Sequence, residues 1–183
     1  LPALYAHPVV KENLIREVEM GPFKHYIDDG LDLRKSAFEV MFALLETALD
    51  RLDIFDFLSH VEAGLKDSYD IKMLVYLMLL RLVQLVPSAL LERLDAIIDP
   101  IKATCTSKTK AFAVKQEQEK QEELKRCALR AAHALRTIPD ADKSLKMREL
   151  LELVKGQPEL NAMWTAMETG GQPAGEGETM DTS

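Results

Sequence analysis

Three stretches of the chain open on the same order of acid, apolar residue and base: Asp32-Leu33-Arg34, Asp70-Ile71-Lys72 and Glu123-Leu124-Lys125. Counting from each acid, apolar residues return at the fifth position (Ala37, Val75, Ala128), the eighth (Val40, Met78, Ala131), the ninth (Met41, Leu79, Ala132) and the twelfth (Leu44, Leu82, Leu135). These intervals follow the turn of an α-helix that buries one broad face. The acid at each opening suits the positive end of a helix dipole. A second amphipathic stretch precedes each of the later stripes: residues 54–65 before the second, and residues 89–104, opened by Pro87-Ser88, before the third. Paired helices recurring at 38 and then 53 residues, with an insertion around Thr104 to Gln121, predict an all-α fold of HEAT-type repeats stacked into an α-solenoid.

Beyond Pro139, residues 142–155 and 158–167 predict two shorter capping helices, with Gly156 closing the first. From Thr169 the residues are small and acidic without an aromatic, a composition expected to stay disordered. The expected organisation is the end of a truncated repeat helix at 1–13, an arm at 14–29, repeats at 30–138, caps at 139–168 and a tail at 169–183.

Residues 14–29 break the helical period. Their side chains alternate about Gly21-Pro22, which predicts a β-hairpin turning near Met20 to Lys24; a long inter-repeat loop, or a helix frayed at Gly-Pro, are the alternatives. A lone hairpin is only marginally stable, so the repeats beneath it or a partner must support it. As a projecting arm it would offer Met20, Pro22 and Phe23 to a partner's pocket. The charged run from Lys115 to Glu123 is either a solvated extension of the third stripe helix or a partner surface, with Lys102, Lys108, Lys110 and Lys115 on its approach.

Composition agrees with helices: 47% hydrophobic, 29% charged, 6% aromatic, and 8 glycines in 183 residues. A net charge of −7 argues against direct nucleic-acid binding, which needs a basic face. Cys105 and Cys127 lack zinc-ligand or disulfide spacing and read as thiols in a reducing compartment. The apolar run from Met73 to Leu80 falls far short of the roughly 20 residues a membrane span needs. The opening Leu-Pro-Ala-Leu-Tyr carries neither a Met nor the features of a signal peptide, and reads as the start of a piece cut from a longer chain.

No catalytic constellation emerges. His7, His25, His60 and His133 share no spacing with one another or with the cysteines, and the glycine pairs lack a phosphate-loop context. His25 sits on the arm, where it could titrate at a partner surface. Met41, Met73, Met78 and Met147 fall on helical stripes as core filler, and Trp164 is placed to pack in a cap. The expectation is a protein-binding module that is not an enzyme and holds no cofactor or metal.

Three longer stretches carry a resemblance: Leu14-Ile-Arg-Glu-Val-Glu-Met-Gly-Pro-Phe-Lys-His25, His60-Val-Glu-Ala-Gly-Leu-Lys-Asp-Ser-Tyr-Asp-Ile-Lys-Met73 and Val114-Lys-Gln-Glu-Gln-Glu-Lys-Gln-Glu-Glu-Leu-Lys-Arg126. They resemble the C-terminal domain of the cullin-associated, neddylation-dissociated proteins, also called TATA-binding-protein-interacting proteins. The resemblance runs from about Leu4 to Met163. It implies a fragment of a large HEAT solenoid, working in cytoplasm and nucleus, that wraps an unneddylated cullin within a cullin-RING complex. The C-terminal repeats would hold the cullin's N-terminal domain, and the hairpin would overlap the site of the substrate-receptor adaptor. Scaffold and adaptor would then displace each other, and substrate receptors would exchange faster. On this reading the partner-binding residues are Ile15, Glu17, Glu19, Met20, Gly21, Pro22, Phe23, Lys24, His25 and Tyr26 of the arm, with Lys115, Glu119 and Glu122 of the charged run as a second contact. The family's other name makes the TATA-binding protein an alternative partner, and a passive arm packed on a neighbouring repeat is the blander reading.

Overall fold

A computed structural model describes residues 2–20, 23–108 and 114–169. The elements run α1 (Pro2–Tyr5), β1 (Ile15–Met20), β2 (Phe23–Asp28), α2 (Leu31–Thr47), α3 (Ile54–Gly64), α4 (Tyr69–Leu85), α5 (Pro87–Glu92), α6 (Leu94–Thr106), α7 (Lys115–Arg136), α8 (Leu145–Gly156) and α9 (Pro158–Glu168). Short 3-10 turns lie at Glu12–Leu14, Leu49–Arg51 and Ala141–Lys143.

The helices stack in two layers. In one, α2 packs on α4, α4 on α7 and α7 on α9; in the other, α3 packs on α6 and α6 on α8. Within each repeat the layers meet as α3 with α4, α6 with α7 and α8 with α9. The fold is therefore a HEAT-type helical solenoid carrying a two-stranded antiparallel hairpin. One continuous core runs from Phe38 and Met41 through Val75, Leu79 and Leu82 to Ala128, Ala132, Leu135 and Trp164.

The predicted stripes are the buried faces of α4 and α7: Val75, Met78, Leu79 and Leu82, then Ala128, Ala131, Ala132 and Leu135, all lie in the core. On α2 the stripe is only partly covered. Ala37 and Met41 are buried, Leu44 is half-buried, and Leu33 and Val40 are exposed. The cause is position in the layer: α4 and α7 are flanked on both sides, whereas α2 packs in its layer against α4 alone among the described residues. Of the methionines read as core filler, Met41, Met78 and Met147 are buried and Met73 is half-buried.

Local chemistry sets where helices start. Asp53 caps α3 by accepting from the amides of Phe55 and Asp56, and Ser144 caps α8 by accepting from Met147. Gly64 ends α3 close against α2 and α4: a methyl group there would lie 2.6 Å from Val75 Cγ2 and 2.8 Å from Phe38 Cζ. Only a residue without Cβ lets α3 seat on α2 and α4 at this point.

Several expectations are corrected in detail. Glu123 does not open its helix; α7 starts at Lys115, with Glu117 in its first turn, so the charged run is an extension of the third stripe helix, as one of its two readings had it, because its Lys, Gln and Glu residues are strong helix formers. Between α6 and α7 lie residues 107–114, of which 109–113 fall outside the described residues. The stretch expected at 89–104 is two helices, α5 and α6, divided at Arg93. The first cap starts at Leu145, not 142, because residues 141–143 form a 3-10 turn behind Asp140, whose φ of 69° is left-handed. Gly156 is the last residue of α8, and Gln157 is its C-cap. The tail expected to be disordered lies, apart from Thr169, outside the described residues.

Candidate partner-binding arm and its anchorage

The alternation of residues 14–29 resolves as a hairpin. Six pairs run from Ile15 opposite Asp28 to Met20 opposite Phe23, so only Gly21 and Pro22 separate the strands. The turn expected over Met20 to Lys24 is thus narrower, since Met20, Phe23 and Lys24 are strand residues; Gly21 and Pro22 lie outside the described residues, as do the side chains of Met20, Phe23 and His25. The long-loop and frayed-helix alternatives fall away.

By register the hairpin has two unlike faces. Positions 15, 17 and 19 pair with 28, 26 and 24, which places Ile15, Glu17, Glu19, Lys24, Tyr26 and Asp28 together. Positions 16, 18 and 20 pair with 27, 25 and 23, a set dominated by the apolar residues Val18, Met20, Phe23 and Ile27. On the first face Lys24 Nζ lies 2.6 Å from Glu17 Oε1. Hydrogen bonds from Lys24 and then Tyr26 hold the Glu17 carboxyl below its ordinary range and push the Tyr26 phenol up. Tyr26 is 71% exposed. Among the described side chains of the two strands, Val18 and Asp28 are half-buried and the others are exposed.

Support comes from the base. Asp29 donates its amide to the Leu14 carbonyl at 3.0 Å, and Arg16 Nε lies 2.6 Å from Asp29 Oδ2. Beneath them Arg34, only 2% exposed, joins the arm to the solenoid. Its Nε and Nη2 donate to the two oxygens of Asp67 at 2.9 Å each, and Nη2 also donates to Asp28 Oδ2 at 2.8 Å. Burial works against the Arg34 charge, but the two carboxylates outweigh it, and the guanidinium is held more firmly charged than usual. The same hydrogen bond keeps the Asp28 carboxyl below its ordinary range. Asp28 Oδ1 accepts from the Gly30 amide, closing the turn into α2. Among the described residues Arg34 Nη1 is buried without a hydrogen-bond partner.

This anchor was not among the residues singled out from the sequence. Its signal was the base of the repeating triplet, to which the sequence pattern assigned no role. The matching Lys72 and Lys125 are half-buried, so the triplet's base lies inward in all three helices.

The charged run forms the exposed opening turns of α7. Lys115, Glu119 and Glu122 share one helical face, and Lys115 Nζ lies 3.7 Å from Glu119 Oε1. Part of the run is engaged internally: Tyr69 donates to Glu123 at 2.5 Å, and Lys120 sits 5.5 Å over the Tyr69 ring. The Glu123 hydrogen bond raises the Tyr69 phenol to about 12. The arm and this run are not brought together, since α4 packs between α2 and α7. His60 stacks on Tyr5 with ring centroids 4.5 Å apart, and His133 meets Trp164 edge-on at 5.1 Å. Trp164 is buried in the cap and donates to Glu168 at 3.0 Å. Among the described residues no three His, Cys, Asp or Glu side chains group to hold a metal, and no helix is long and apolar enough to cross a membrane.

The family described as TATA-binding protein interacting (TIP20) matches residues 1–155. Cullin-associated NEDD8-dissociated protein 1 of Drosophila melanogaster is 58% identical over 164 residues, covering 90% of this chain and 13% of that protein. Cullin-associated NEDD8-dissociated protein 2 of Rattus norvegicus is 50% identical over 182 residues, covering 100% of this chain and 14% of the relative. A protein of Emericella nidulans, Cullin-associated NEDD8-dissociated protein 1, C-terminal part, is 38% identical over 161 residues, covering 86% of this chain and 16% of its own length. The chain thus spans about a seventh of the length of such relatives. With the family matched over most of the chain, and identities of this size across nearly all of it, the chain belongs to the TATA-binding protein interacting family of cullin-associated NEDD8-dissociated proteins.

Proposed function

We propose that this chain is a non-enzymatic, cullin-binding segment of a scaffold that regulates the assembly of cullin-RING ubiquitin ligases. Its arm competes with the substrate-receptor adaptor for the N-terminal domain of an unneddylated cullin. The observation that carries this reading is the hairpin itself: two strands ordered by their own ladder and, among the described residues, tied to the solenoid at the base through Arg34, Asp28 and Asp67. An element pre-ordered without covering its faces loses little freedom when a partner covers them, which favours binding. The relatives are themselves named as cullin-associated.

Competition is reciprocal. If the arm weakens the adaptor's hold on the cullin by some factor, the adaptor weakens the arm's by the same factor, and receptors exchange. The contact residues are Ile15, Glu17, Glu19 and residues 20–26, with Lys115, Glu119 and Glu122 as a separate contact two helices along. The test is binding to a purified cullin N-terminal domain, with and without adaptor, for the wild-type chain and a deletion of residues 20–24. Loss of competition with retained helicity is expected; competition undiminished by the deletion would overturn the arm's role.

The family description favours one second reading, a transcription regulator that binds the TATA-binding protein. Its test is capture of purified TATA-binding protein by the chain, and no capture at micromolar concentrations removes it. The cullin reading places the protein in both cytoplasm and nucleus, which fractionation of cells expressing it would check.

A further inference from the structure

A crevice of about 730 Å³ opens where the α3–α4 turn, α6 and the start of α7 meet. Its volume falls in the range of sites that take a small ligand or a few residues of peptide. Leu65, Pro100 and Leu124 supply a buried apolar lining, and Lys66 and Lys72 stand along it. Neither ammonium has an ion-pair or hydrogen-bond partner among the described residues. The carboxylate that also lines the crevice, Asp99, is already held by Lys146 at 3.1 Å. Asp67, whose field reaches Lys72, has both oxygens on Arg34. The crevice is therefore cationic in a chain of net charge −7.

Lys72 is the telling residue. Half-buried and uncompensated, it is pushed toward its neutral form by burial, against the weaker pull of Asp67. A solvated lysine would simply extend into water; one held over an apolar lining retains a position for an anion. Ser107 and Gln121, hydrogen-bonded to each other, interrupt the apolar surface. The lining therefore suits a single bulky side chain rather than a long acyl tail.

We propose that this crevice binds a peptide segment of a partner protein in which an acidic side chain lies beside a large apolar one, the carboxylate on Lys72 and the apolar group against Leu65, Pro100 and Leu124. The site is separate from the arm and does not depend on the cullin reading.

The experiment is selection of random octapeptides displayed on phage against the purified chain, followed by titration of the selected peptides. Enrichment of an Asp or Glu next to a large apolar residue is expected. Such peptides should bind Lys72→Gln about tenfold more weakly, as loss of a charged hydrogen bond implies, and Lys72→Arg nearly as well as wild type. Ala103→Trp, an exposed position lining the crevice, should block them without changing the helical circular dichroism. Two results would overturn the site: no such enrichment, or selected peptides indifferent to Lys72→Gln and Ala103→Trp.

Discussion

Phe38 and Val75 are fully buried, so neither can retreat from a methyl group placed at Gly64. Gly64→Ala is expected to cost about 1–3 kcal/mol through overpacking. The sign is a lowered Tm with helix content retained, and an unchanged Tm would show that α3 can shift instead. Asp28 supplies a pH-dependent test at the same scale. Its carboxyl is held below the ordinary value of 3.8 in the folded chain, chiefly by the Arg34 hydrogen bond. The clasp is therefore fully present above the ordinary aspartate range and lost as pH falls through the depressed folded value. The Gly30 amide, which donates to Asp28, should report a midpoint below the ordinary range in an NMR titration from about pH 6 to about 2. In Asp28→Asn that titration step should vanish. The roles of Gly64 and Arg34 could not be identified from sequence, since Gly64 meets Val75 and Phe38, 11 and 26 positions away, and Arg34 holds Asp67, 33 positions away.

At the scale of elements, the arm and the solenoid are expected to be energetically almost independent. The strands pair with each other, and among the described residues the hydrogen bonds that tie them to the solenoid lie at the base. Replacing residues 17–26 by two glycines, with Asp28 and Arg34 kept, should shift Tm by no more than about 2 °C. A fall comparable to that of a core substitution would mean that the arm packs on the repeats, the passive reading of its role. The alternation about Gly21-Pro22 was legible because strand period is a local property. The extent of α7 was less so: its stripe marked the buried two-thirds, while the first turns bury nothing and follow helix propensity alone. The break between α5 and α6 left no periodic trace, because both segments carry apolar residues inward across it, Leu90 on one side and Leu94, Ile97 and Ile98 on the other.

For the whole molecule, the core is continuous from α2 to α9, so unfolding is expected to be cooperative along the stack. Trp164 lies in the last helix and offers a local probe. Its fluorescence and the far-ultraviolet helix signal should fall in one coincident transition under urea; an earlier fluorescence change would mean that the α8–α9 cap melts by itself. Charged contacts between repeats, such as Glu46 with Arg81, Glu62 with Arg93 and Glu149 with Lys102, lie largely at the surface and add little to this cooperativity. The sequence by itself determined the helical class, the repeat, the stripes that become the core and the place where a hairpin interrupts them. These are consequences of period, and period is set by residues within a few positions of one another. Only the tertiary structure decided that Arg34 clamps Asp28 to Asp67, that Gly64 sits against Phe38 and Val75, and that Lys66 and Lys72 line a crevice beside α6. Apart from the short step from Arg34 to Asp28, these contacts join residues distant in the chain, and nothing in the local pattern encodes which distant partner each will meet.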